Sequence, residues 1–130
     1  VKNKYGTQIN TAMTIDSDGN LYLTGRFTGT VDFDPSDGDV ILVSKSENKV
    51  FVGDADAYIQ KLDEEGNTLW AKNMGGTGFD YGMSISVDDK GNVYTLGWFA
   101  DTVDFDPGEG IYNLIADYPE NKLIQNDTHL

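Results

Sequence analysis

Apolar and polar positions along this chain change over in short runs, with no helical rhythm in any window of ten or more residues. "TAMTI" (11–15) leads into "DSDGN" and then "LYLTGRF" (21–27). "DAYIQKL" (56–62) leads into "DEEGN" and then "TLWAKN" (68–73). "MSISV" (83–87) leads into "DDKGN" and then "VYTLGWF" (93–99). Runs rich in β-branched and aromatic residues, bounded by Gly, Asp and Asn, are strand-and-turn patterns. The three segments predict three hairpins on one rule, in which an acidic residue opens the turn and Gly-Asn closes it. Asp can bond its own downstream backbone, and Gly supplies the positive φ that the turn needs. "LYLTGRF" carries Leu21, Leu23 and Phe27 on one side and Tyr22 on the other, so both faces of that strand have something to bury.

The pattern repeats. Residues 14–44 return as residues 86–116, shifted by 72 without a gap, and fourteen of the 31 aligned positions are identical, too many for chance. "ENKVFVGDADA" (47–57) lines up with "ENKLIQNDTHL" (120–130) at a shift of 73. Residues 1–10 align with 73–82, where Gly6 and Gly78 alone are identical. The expected division is one domain over 1–130, with a first unit at about 10–81 and a second, truncated unit at about 82–130. Each complete unit reads as two hairpins joined by a longer segment, about four strands. A long fixed period with two-faced strands suits four-stranded antiparallel blades set radially, so the expected fold is an all-β β-propeller. The piece amounts to about two blades of a larger propeller. It is expected to be a fragment of a longer protein, since its second unit stops short, and to depend on neighbours, since repeat arrays need about three units for stability.

Composition narrows the function. Net charge is −13, which excludes phosphate-backbone recognition of nucleic acid and simple docking on anionic membranes. No stretch approaches the ~20 apolar residues of a membrane span. The chain has no cysteine, so disulfides, zinc-thiolate sites and thiol catalysis are excluded within it.

Residues 56–97 follow, nearly throughout, the order of the bacterial SBBP repeat, roughly "DAFVAKLDxxGNxLW…GGxGxDxGxxIAVDxxGNVYVTG". "FTGTVDFDPSDG" (27–38) and "FADTVDFDPGEG" (99–110) are similar to a variant of that repeat. The resemblance implies a seven-bladed type of propeller in a secreted or cell-surface bacterial protein, and it implies no particular activity. The segment 40–54 is long for that family and is expected at the blade's outer edge or on one propeller face.

"DSDGN" has the look of a calcium loop, but the twelfth position from Asp16 is Phe27 and the repeat places Lys90 at Asp18, so it reads as a turn. "LDEEGN" (62–67) reads the same way. "TVDFDP", identical at 30–35 and 102–107, is the stronger candidate. In an extended strand, Asp32 and Asp34 share one face, with Val31, Phe33 and Pro35 on the other. Two such carboxylates repel unless the charge is offset. Calcium held by Asp32, Asp34, Asp104 and Asp106, with carbonyls and Asp37 or Glu109, is one solution. Backbone N–H donors of the following turn are the other, and recurrence in each unit favours this structural role. "GGTG" (75–78) lacks the helix start and Lys-Ser/Thr of a phosphate cradle and reads as a flexible turn between blades.

Trp70 and Trp98 read as blade core, with sugar stacking as the alternative. His129 is the one histidine, and no nucleophile triad can be assembled. The chain therefore reads as non-catalytic, a scaffold or binding module without a cofactor unless calcium binds. Expected partners are further blades, from the same chain or another subunit, and a protein or glycan ligand. The alternatives are a polysaccharide hydrolase or lyase whose site lies mostly elsewhere, and a surface-assembly subunit completed by strand exchange.

Overall fold

The structure, a computed structural model, describes residues 2–3, 5–45 and 55–116. The "ENK" correspondence, His129 and much of segment 40–54 lie outside these residues. Every described element is a strand, as the sequence pattern requires. The three predicted hairpins are β2 (Thr7–Ile15) with β3 (Leu21–Thr28), β6 (Asp56–Leu62) with β7 (Thr68–Gly76), and β8 (Tyr81–Val87) with β9 (Val93–Trp98).

Their turns are built alike. Asp16 Oδ1 accepts the N–H groups of Asp18 and Asn20, both at 2.9 Å, and Oδ2 accepts the Asn20 amide. Asp63 does the same with Glu65 and Asn67, and Asp88 with Lys90 and Asn92. Gly19, Gly66 and Gly91 sit at φ +85°, +89° and +81°, a conformation that costs a side chain about 1–2 kcal/mol. The donors gathered around each carboxylate, first the Asn side chain, hold the pKa of Asp16, Asp63 and Asp88 below the usual value.

Strands β2, β3, β6 and β7 form an antiparallel four-stranded meander, the predicted blade. The segment joining β3 to β6 is itself a hairpin, β4 (Thr30–Asp32) with β5 (Ile41–Val43). It folds over the blade face that carries Leu23 and Phe27, where Phe27, Val31, Phe33 and Tyr58 form a buried cluster. Rings of Phe27 and Phe33 meet edge to face at 5.6 Å, within the range of favourable aromatic pairs. Gln60 Nε2 and Thr68 Oγ1 both donate to the Phe33 carbonyl, at 2.8 and 2.6 Å, fixing the hairpin to the blade.

Unit 2 begins again with β8–β9, which packs on β2 and β3 across the other blade face. Thr24 lies against Gly82 so closely that a Cβ there would fall 1.9 Å from its Oγ1. Arg26 lies over the rings of Phe79 and Tyr81, at 5.3 and 5.9 Å. The second joining hairpin, β10 (Thr102–Asp104) with β11 (Asn113–Ile115), does not stay within its own unit. β10 pairs with the end of β7, setting Val103 opposite Gly76 and Asp104 opposite Gly75. In unit 1 the same strand, β4, pairs with β1 (Lys2–Asn3), setting Val31 opposite Asn3 and Asp32 opposite Lys2. The joining hairpin of each unit is thus a strap onto the strand that precedes the unit. Backbone pairing therefore aligns residues 2–3 with 75–76, a shift of 73 where residues 1–10 read as shifted by 72.

Candidate functional site at the junction between units

"TVDFDP" begins each strap. Asp32 is fully buried, and its Oδ1 accepts the N–H groups of Asp34 at 3.1 Å and Val40 at 3.0 Å. Asp104 Oδ1 repeats this with Asp106 at 3.0 Å and Tyr112 at 2.9 Å. These donors, Tyr112 first, lower the pKa of Asp104. Asp34 Oδ1 accepts the N–H and hydroxyl of Ser36, and Asp106 Oδ1 accepts the Gly108 N–H at 2.7 Å. Gly38 and Gly110 leave room for the second oxygens, since a Cβ at either would fall 2.2 Å from that oxygen. Each Asp-Phe-Asp thus caps its own loop through backbone N–H groups. Among the described residues no group of three His, Cys, Asp or Glu side chains is placed to hold a metal ion, and Asp37 and Glu109 are exposed. Val31 and Phe33 are buried as expected, whereas Pro35 is exposed because the strand ends at Asp32 and its alternation stops there.

Around the second strap the two units enclose an open groove of about 470 Å³, lined by Lys45, Gly75, Gly76, Thr102, Asp104 and Ile111 among others. Lys45 Nζ reaches Asp104 Oδ2 at 3.4 Å across it. Beneath lie two buried carboxylates, Asp56 at 0% and Asp80 at 1% exposure. Asp56 Oδ2 accepts the Lys45 N–H at 2.9 Å and the Asn73 amide at 3.1 Å. Its Oδ1 is buried, with no hydrogen-bond donor among the described residues. Asp80 Oδ2 accepts the Gly76 N–H and Oδ1 the Ala100 N–H, both at 3.0 Å, so one side chain bonds β7 of unit 1 and the segment just after β9 in unit 2. Burial raises both carboxyls, and that of Asp80 is pushed up to about 7.

The first half of "GGTG" proves to be a close-approach site, while Thr77 and Gly78 lie in the bend that leads from β7 to β8. Gly75 and Gly76 are the last residues of β7, and neither has positive φ. A Cβ on Gly75 would fall 2.1 Å from Asp56 Cγ, and one on Gly76 would fall 1.8 Å from the Thr102 carbonyl oxygen. Glycine is needed here for space. Sequence reading passed over Asp56 and Asp80; the available signal was that Gln8 stands at the repeat position of Asp80. Trp70 meets Tyr22 edge-on at 6.4 Å, and Trp98 stacks on Tyr81 at 6.3 Å; both tryptophans are half-buried.

A comparison with curated proteins adds to the fold. The chain is similar to a WD repeat-containing protein. That uncharacterised protein, from Acanthamoeba polyphaga mimivirus, is 34% identical over 97 residues, which is 69% of this chain. The chain spans 7% of that relative's length. WD repeats are β-propeller repeats of four strands per blade, which agrees with the all-β meander and the stacked second unit. No family model matches the chain.

Proposed function

We propose that this chain is a non-catalytic segment of a propeller-type repeat array, a rigid framework or binding module in a secreted or cell-surface bacterial protein of the SBBP kind. One observation carries the framework reading: the repeated motifs all serve construction. The Asp turns close hairpins, "TVDFDP" caps the straps, and Gly75–Gly76 admits the strap of the next unit. The order of motifs along 56–97 supports the SBBP kind and, with it, the cell-surface location.

Further units are the partners this framework would take. Tyr22 is 1% exposed on β3, the strand against which β8 packs, while Tyr94, its repeat equivalent, is 59% exposed. Met13 is 63% exposed where its equivalent Ile85 is 7% exposed. A blade on each side would bury both faces, whether from the same chain or another subunit, and the strap loops would remain for a protein or glycan ligand.

Incubation of the purified chain with a polysaccharide panel, read by reducing-sugar release and in parallel by glycan-array binding, tests the reading. No release, with or without binding, is the expected outcome. Release that co-purifies with the chain and is lost on substitution of one of its acids would overturn it.

A further inference from the structure

Asp80 is a carboxylate whose two oxygens bond backbone groups of different units, Gly76 in β7 and Ala100 after β9. Its own N–H donates to the Ala55 carbonyl at 2.7 Å, so the backbone is held at the same seam. The Asp56 carboxylate lies over Gly75, the neighbour of Gly76. Both side chains are out of contact with water. A third acid, Asp101, follows Ala100 and adds repulsion toward Asp80. Among the described cationic groups, Arg26 lies over the rings of Phe79 and Tyr81, Lys61 lies over the ring of Tyr22, and the Lys45 ammonium meets Asp104. Lys45 eases the charge on Asp56, chiefly through its backbone N–H. Neither buried carboxylate makes an ion pair among the described residues, and an unpaired buried charge is costly, so the two need some positive charge.

We propose that the junction between the units is a proton-linked latch: one proton held by the Asp56–Asp80 pair keeps unit 2 seated on unit 1, and its release to solvent loosens that seat. Asp56 Oδ1, a buried oxygen with no donor among the described residues, is where a proton costs no hydrogen bond described there. On Asp80 a proton competes with two N–H groups. Burial drives the upward shift at both groups, and at Asp80 the Asp56 charge adds to it. The proton is therefore held at mildly acid pH and lost through neutrality. Gln8 at the corresponding position of unit 1 confines the latch to the unit 1–unit 2 seam among the described residues. The proposal is independent of any ligand of the array.

Carbon-13 NMR titration of the Asp56 and Asp80 carboxyls in the purified chain tests this, together with amide exchange at Gly76 and Ala100 corrected for intrinsic rates. One carboxyl midpoint near 7 is expected, with weaker protection of both amides at pH 8 than at pH 5. Asp56→Asn is the informative variant. Its oxygen can keep the Lys45 and Asn73 bonds while its NH₂ takes the place of the oxygen that has no donor. It should lower the Asp80 midpoint and restore protection at pH 8. An Asp80 midpoint below about 5, close to the ordinary carboxyl value, would sink the proposal. So would an unchanged midpoint in the variant, or calcium restoring protection at pH 8 as fully as the substitution, which would assign a metal site instead. Should the variant not fold, the wild-type titration and exchange decide alone.

Discussion

Glycines at two kinds of position separate backbone conformation from space. Gly66 has φ +89° and nothing within 4 Å of where a Cβ would sit, so Gly66→Ala should cost about 1–2 kcal/mol from the left-handed backbone alone. Gly75 has ordinary φ but faces the Asp56 carboxylate, and Gly75→Ala should cost about 3 kcal/mol or more through overpacking of a buried charge. Urea denaturation of the two variants checks this, and equal losses would remove the close-approach argument. The carboxylates also set the pH dependence. Asp16, Asp63, Asp88 and Asp104 have lowered pKa values, so their contribution is present above the ordinary carboxyl pKa and is lost as pH falls below it. Asp80 works the other way. Its raised pKa favours the folded state below about pH 4, and that advantage, on the order of 4 kcal/mol, is lost as pH rises to about 7. Thermal melts should therefore peak at mildly acid pH, and Asp80→Asn should flatten the fall between pH 5 and pH 8. A wild-type optimum at or above neutrality would contradict this.

Hairpins were legible in the sequence because each is local. "DSDGN", "DEEGN" and "DDKGN" carry both the carboxylate and the glycine that close the turn, so neighbouring residues decide the structure. The bulges in β2 and β8 also recur at one repeat position, between Asn10 and Ala12 and between Gly82 and Ser84. Straps were not legible as straps. "TVDFDP" announced itself by identity in both copies, but its partner strand lies outside its own unit, and β pairing is made by backbone groups that carry no side-chain signature. The trace it left was Gly75–Gly76, which read as a turn because glycine serves both purposes. For the candidate site, alternation correctly buried Val31 and Phe33 and failed at Pro35, where the strand had ended. Asp56 and Asp80 escaped notice because burial, not spacing, makes them unusual. The strap has its own test. Gly76→Ala places a Cβ 1.8 Å from the Thr102 carbonyl oxygen and should strip amide protection from 102–104 while leaving β2–β3 protected. Uniform loss across both would mean that the strap is not a separable element.

At the scale of the whole molecule, one junction is a template for the next. Thr24 is buried against Gly82, and Leu96 at the equivalent position is 53% exposed. Thr24→Asp should therefore unfold or severely destabilise the chain, while Leu96→Asp should change its stability by no more than about 0.5 kcal/mol. Fusing one further repeat unit after this chain should make Leu96→Asp costly as well; persistent tolerance would mean that the open face is not a blade seat. The claim on which the account rests is that the strap of unit 2 is paired to the last strand of unit 1. Interstrand nuclear Overhauser effects in the isotope-labelled chain test it most directly. Backbone contacts of Val103 with Gly76 and of Asp104 with Gly75 are the predicted result. A folded chain in which β10 shows contacts to β11 and none to β7 would contradict it.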